Sequence, residues 1–262
     1  MLRSYSHIGT GNYNPKTSRL YEDFGLFTAD EQVGRDLTRL FNELSGYAIE
    51  KKFKRMLVAP LHLRKGLLRL IDRERRNALE GKPASIRIKV NSMVDEQIID
   101  ACYRASQAGV KVNVLVRGIC ALRPGVPGLS ENIEVRSILG RFLEHSRIYY
   151  FLNGGDEKLY LSSADWMERN LDKRVETCFP VEGKKLITRV KKELESYLSD
   201  NTQAWVLQPD GRYLRLSPSG NANPRNAQAA LLDKVNTIIA DAKADGSLEA
   251  LSKKWLKQPL PA

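Results

Sequence analysis

Ile86-Arg87-Ile88-Lys89-Val90 and Val110-Lys111-Val112-Asn113-Val114-Leu115-Val116 are the two runs on which the fold turns. The first alternates apolar and charged residues without a break, and the second alternates over most of its length, which is the period of a strand with two unlike faces. Between them Asp95 stands where an N-cap is needed, Ile98, Ile99, Cys102, Tyr103 and Ala105 give a helix its apolar face, and Gly109 supplies the stop. Strand, helix and strand in that order make a βαβ unit. Its right-handed crossover sets the two strands parallel in one sheet.

Outward from this unit, residues 53–59 read as another strand, and Pro60 opens a helix with Leu63, Leu67, Leu68, Leu70 and Ile71 in its stripe. Downstream, residues 134–138, 146–152, 158–162 and 175–181 read as strands, and a helix follows with Leu186, Ile187, Val190, Leu194 and Leu198 on one face. The sum is an α/β domain over about residues 56–200. The first 50 residues hold a Gly/Asn-rich loop, an extended run from 20 to 27, and a helix with Val33, Leu37, Leu40, Phe41 and Leu44 aligned. A polar segment with Ser162, Ser163, Asp165 and Asn170 again precedes a strand and a helix, so the order recurs. Residues 1–55 are therefore expected to end one domain and 56–220 to form a whole domain of the same kind. Residues 221–262 form a helical tail with Leu231, Leu232, Val235, Ile238 and Ile239 on its apolar positions, and no role is assigned to it.

With 262 residues, 42% of them hydrophobic, the chain can bury a full core. Its 42 Lys and Arg against 31 Asp and Glu give +11, which favours a polyanionic partner: nucleic acid, anionic lipid or polyphosphate. Cys102, Cys120 and Cys178 lack the paired spacing of a zinc site or a disulfide framework, so a reducing cytoplasm is expected. No apolar run approaches the ~20 residues of a transmembrane helix, and Met1 to Ser6 has no signal-peptide core. Attachment at the periphery of a membrane stays open.

Three histidines can be weighed one by one. His145 and Arg147 are two apart at the start of an apolar strand, so they share a face and can meet one anion. His7 precedes Ile8-Gly9-Thr10-Gly11-Asn12-Tyr13-Asn14, where glycines let backbone amides approach an anion and Thr10, Asn12 and Asn14 offer hydrogen bonds. His62 has no polar constellation near it and reads as structural. Arg117, Lys89 and Asn91 fall at the ends of neighbouring strands, where an open parallel sheet presents groups to a ligand, and Lys89, Asn91 and Arg147 are the candidate phosphate-binding set. Tyr21 can stack on a base or fill the core, and the residues alone favour the core.

The His7-to-Asn14 loop, Ala105 to Val110, the run from Val116 to Phe151 and Tyr160-Leu161-Ser162-Ser163-Ala164-Asp165-Trp166-Met167 together resemble polyphosphate kinase of the histidine-phosphorylated type, over about residues 7–215. The resemblance implies two phospholipase D-like domains, each a mixed sheet flanked by helices, with the end of the first and all of the second in this chain. It implies an ATP:polyphosphate phosphotransferase, with Tyr21, Arg117 and His145 contacting the nucleotide and His7 a second active-site histidine. ATP or ADP and inorganic polyphosphate become the expected partners, Mg2+ the ion accompanying ATP, and a homo-oligomer the expected state at full length, with no specific nucleic acid. In the family the phosphorylated histidine and the magnesium-associated residues lie upstream of the His-Ile-Gly-Thr-Gly motif. The chain is thus expected to be a fragment or a truncated homologue, unable alone to form the phosphohistidine. Two rivals stand beside this reading: a phospholipase D-like phosphodiesterase or nuclease, and a non-catalytic polyphosphate-binding module.

Overall fold

The computed structural model describes residues 4–47 and 52–256. Met1 to Arg3 of the start read above, residues 48–51 of the 1–55 unit and residues 257–262 of the tail lie outside the described residues. In chain order the elements are β1 (Ser6–Gly9), β2 (Tyr21–Glu22), β3 (Gly25–Thr28), α1 (Glu31–Leu44), β4 (Leu57–Val58), α2 (Leu63–Leu79), β5 (Ser85–Val90), α3 (Glu96–Gln107), β6 (Lys111–Val116), β7 (Ile133–Ile138), β8 (Leu143–Glu144), β9 (Arg147–Phe151), β10 (Lys158–Ser162), α4 (Glu168–Asp172), β11 (Thr177–Pro180), α5 (Lys184–Leu198), β12 (Ala204–Leu207), β13 (Tyr213–Arg215), α6 (Ala227–Ala244) and α7 (Ser247–Leu251).

Nine of the strands form one mixed sheet in the order β13-β12-β7-β6-β5-β9-β10-β11-β4. β5, β6 and β7 run parallel, as the βαβ pattern requires, and every other pairing in this sheet is antiparallel. The crossover helix α3 begins where the sequence places it, with the Asp95 carboxylate accepting from Ile98 N at 3.1 Å. It ends at Gly109, whose φ of +90° is left-handed backbone that glycine adopts without Cβ strain.

The alternation along β5 divides the core. Ile86, Ile88 and Val90 turn to the face covered by α2 and α3, packing with Leu67, Ile71, Ile98 and Cys102. On the opposite face Ile148, Tyr150, Leu159 and Leu161 meet Val33 and Leu40 of α1 and Val190, Leu194 and Tyr197 of α5. Residues 4–47 thus share a core with the sheet. Buried Asp36 of α1 adds a polar tie, accepting from the backbone N–H groups of Lys54 (3.0 Å), Arg55 (2.7 Å) and Met56 (3.1 Å).

Several expected strands come out shorter: 175–181 keeps only Thr177–Pro180 and 146–152 only Arg147–Phe151, and two others change more. Residues 53–59 pair only at β4, because Asp36 holds the backbone of 54–56. The run 20–27 breaks into β2 and β3 at Asp23-Phe24; β3 pairs with β1 and β2 with β8. That break decides the geometry of the site.

Candidate active site

β2 and β8 pair in parallel, Glu22 opposite Glu144, so Asp23 and His145 emerge side by side as the next residues of each strand. The Asp23 carboxylate lies 2.8 and 2.9 Å from His145 Nδ1. A carboxylate there calls for a proton on Nδ1 and leaves the lone pair on Nε2. The Tyr21 ring stacks on the imidazole at 4.4 Å between centroids and 15° between planes. Arg147 Nη1 is 3.1 Å from Nε2 and 3.3 Å from Nδ1. Tyr21 is therefore at the site, not in the core.

Beneath this pair lies a charged frame. Lys89 is 3% exposed, and its ammonium is 2.7 Å from Glu22 Oε2, 2.7 Å from Glu144 Oε2 and 2.6 Å from Ser146 Oγ. Burial alone would lower the lysine pKa, but Glu22 and Glu144 outweigh it and hold it above its ordinary value. For Glu144, burial pushes the carboxyl above the usual range although Lys89 pulls the other way. One cation between buried Glu144 and half-buried Glu22 leaves an excess of formal negative charge. Lys89 therefore ties together the residues that precede Asp23 and His145, and it has no free charge for a phosphate.

Asn91 and Arg147, expected as phosphate ligands, are likewise occupied. Asn91 donates from Nδ2 to His145 O at 3.2 Å, accepts Arg117 Nε on Oδ1 at 2.6 Å, and gives its backbone N–H to Asp165 Oδ1 at 2.7 Å. Arg147 grips Asp165 through Nε at 3.1 Å and Nη2 at 2.9 Å, and Nη1 also reaches Thr10 O at 3.2 Å. Sequence spacing brings His145 and Arg147 onto one face. It does not reveal Asp165, 18 residues on, which consumes the guanidinium fork.

Arg117 differs. Its Nε donates to Asn91 Oδ1 at 2.6 Å and to Glu144 O at 2.8 Å, while among the described residues neither terminal nitrogen has a hydrogen-bond partner. The residue is half-buried and borders a cleft of about 250 Å³ with Gly118, Ser137, Leu139, Trp205 and Tyr213.

The His7 loop meets the site through Thr10 and Gly11. Thr10 is buried, and its hydroxyl donates to Asp23 Oδ1 at 2.8 Å and accepts Phe24 N at 3.0 Å. Asn12 and Asn14 use their side-chain oxygens on the amides of Asn14 and Lys16 at 2.9 and 3.0 Å. The loop is thus braced by its own polar groups: Thr10 spends its hydroxyl proton on Asp23, whereas Asn12 and Asn14 use only their side-chain oxygens, and their amide N–H donors stay open to an anion among the described residues. Gly11 is required because a Cβ would lie 2.9 Å from Asp23 Cβ and nearer still to the carboxylate. His7 sits on the outer face of β1, hydrogen-bonded through Nε2 to the Tyr13 hydroxyl and stacked on exposed Phe27 at 4.3 Å. His62 packs against Phe53 at the start of α2, away from these groups.

Sequence reading missed Asp23, Glu22, Glu144 and Asp165, because each acts through a partner distant in the chain. No helix among the described residues is long and apolar enough to cross a membrane.

The model of polyphosphate kinase C-terminal domain 2 matches residues 56–228, and that of C-terminal domain 1 matches residues 1–50. The chain is 64% identical over 242 residues to a polyphosphate kinase of Pseudomonas aeruginosa, covering 92% of this chain and 35% of that protein. It is 58% identical over 233 residues to one of Streptomyces coelicolor, covering 88% and 31%. The crystal structure of polyphosphate kinase from Porphyromonas gingivalis superposes with a TM-score of 0.85 at 38% identity, covering 90% of this chain and 36% of that one. The chain thus spans about a third of the length of the curated relatives it matches. With one domain model alone matching more than half of its residues, the chain belongs to the polyphosphate kinase family.

Proposed function

We propose that this chain supplies the nucleotide-facing part of a polyphosphate kinase centre, in which the terminal phosphoryl of ATP passes reversibly to inorganic polyphosphate by way of a phosphohistidine carried on a segment upstream of the His7 motif. Arg117, His145 and Tyr21 face the nucleotide, and His7 is a second histidine of the centre. Residues 1–55 are read as the end of a first phospholipase D-like domain and 56–220 as a complete second one.

The observation that carries this reading is the Arg117 guanidinium, fixed through Nε and open at both terminal nitrogens among the described residues. A planar fork aimed in advance is suited to phosphate oxygens, and it loses little on binding because its orientation is already set. In phosphoryl transfer, charge spreads over the equatorial oxygens of the moving group, and catalysis rests on fixed donors placed around it. Arg117 supplies such donors. His145, clamped by Asp23 and flanked by Tyr21 and Arg147, holds a proton at Nδ1 and a lone pair at Nε2. In this reading magnesium enters as the ion accompanying the nucleotide, and no step is routed through it.

In the full-length protein, Arg117→Ala and His145→Ala should lower polyphosphate synthesis and ATP formation from ADP together, because both directions share one transition state. A charge-assisted contact of about 1.5–3 kcal/mol corresponds to roughly 10- to 150-fold in rate. His62→Ala should leave both rates unchanged. Near-normal rates in both site variants would sink the assignment. Cleavage of phosphodiesters that depends on Arg117 and His145, without transfer to ADP, would replace it with a nuclease.

A further inference from the structure

Sequence reading gives the tail helix no part in the site, yet its first turn is built into the back of it. Buried Asp200 accepts from Ala227 N at 2.8 Å and from Thr202 N and Gln203 N at 2.9 and 2.7 Å. Asn201 pairs with Arg225 in both directions, at 2.7 and 3.1 Å. The start of α6 is thereby fixed to the end of α5. In the next turn Leu231 still packs on the core of the α5 face, and beyond it Val235, Ile238 and Ile239 are exposed.

What the fixed turn delivers is Gln228, only 7% exposed. Its Nε2 donates to Phe142 O at 2.9 Å and to Glu144 Oε1 at 2.6 Å, and its Oε1 accepts from Phe142 N at 3.0 Å. One amide thus closes both backbone groups of Phe142 and one carboxylate oxygen of Glu144. That carboxylate belongs to the Lys89 network with its excess negative charge, so the Gln228 N–H offsets charge that the single lysine does not. The gripped segment is followed directly by His145, and Glu144 O accepts Arg117 Nε. At Gly140 a Cβ would lie 2.7 Å from Gln228 Cδ and 3.0 Å from Nε2, so the absence of a side chain there leaves the amide its place.

We propose that Gln228 is a positioning residue of the phosphoryl-transfer centre: its amide sets residues 142–144, and through them the His145 ring and the Arg117 guanidinium. The catalytic half of this statement rests on the function proposed above, and the geometric half stands without it.

The test compares Gln228→Ala, Gly140→Ala and the double variant in the full-length protein. Misplacing a reacting group by about 1 Å can cost of order 100-fold, so each single variant should lose roughly 10- to 100-fold in kcat in both directions. The His145 ring resonances, identified by their loss in His145→Ala, should shift in both. Because the Gly140→Ala methyl is expected to act only by displacing the amide, the double variant should be no worse than Gln228→Ala alone. His145 resonances that stay in place overturn the proposal whatever the rates do. Additive losses, or shifted resonances with unchanged kcat, overturn it as well. Should the wild-type protein transfer no phosphoryl group, the function proposed above fails, and the resonances still decide whether Gln228 holds the segment.

Discussion

Replacing Lys89 with methionine keeps most of the side-chain volume and removes the cation that stands between Glu22 and Glu144, each 2.7 Å from its nitrogen. Breaking a buried ion pair from one side costs about 3–5 kcal/mol, because the partner is left charged and unpaired. At roughly 2 °C per kcal/mol for a chain of this length, the midpoint should fall by about 6–10 °C at neutral pH. The loss should depend on pH. Burial already raises the Glu144 pKa, and without Lys89 nothing of comparable strength opposes it. A carboxyl whose folded pKa is raised above the unfolded value adds stability below the unfolded value and loses it as pH rises through the folded one. Lys89→Met should therefore approach wild type as pH is lowered and Glu144 takes up a proton, and should diverge from it as pH rises through the raised pKa of that carboxyl. The contribution of Lys89 itself is lost only in strong alkali: the ammonium is held above its ordinary 10.5, so that contribution is intact below that pH and disappears above it. Urea unfolding of both proteins from pH 5 to 8 measures the difference. A difference under about 1 kcal/mol at pH 7.5, or one that does not change with pH, would refute the buried-network account.

Gly11→Ala should push Asp23 off His145 and reduce phosphoryl transfer by about tenfold or more with a smaller effect on stability, which parallel kinetics and thermal unfolding would separate. Asp36→Ala strands the backbone N–H groups of Lys54, Arg55 and Met56; with water able to reach the first two, the expected cost is about 2–3 kcal/mol in urea unfolding, and a loss below about 0.5 kcal/mol would show that the tie between α1 and β4 contributes little.

The parts of this molecule that are legible in its sequence are those with a local cause. Alternation over Ile86 to Val90 gives β5, the Asp95 carboxylate gives the start of α3, and Gly109 gives its end. β10 appears at Lys158–Ser162, the residues its pattern marks. β2 and β8 are not legible, because two residues carry no period and each strand exists through the other. β12 and β13 escape for a similar reason, being added to the sheet edge after α5 has turned the chain back. In the site, position is more legible than availability. Lys89, Asn91, Arg117, His145 and Arg147 do gather in one place, as strand ends in an open sheet should. Which of them keeps a free valence depends on Glu22, Asp165 and Glu144, and no spacing rule connects those residues to their cations.

β5 has a parallel neighbour, β6, on one side and an antiparallel neighbour, β9, on the other. The tip of β5 therefore lies beside the tip of β6 and the root of β9, and three separate stretches of chain deliver Asn91, Arg117 and His145 to one spot. A centre mounted on the seam of a nine-stranded sheet has the stiffness of that sheet. Displacing any one of these three residues would mean displacing the hydrogen-bonded strand that it adjoins.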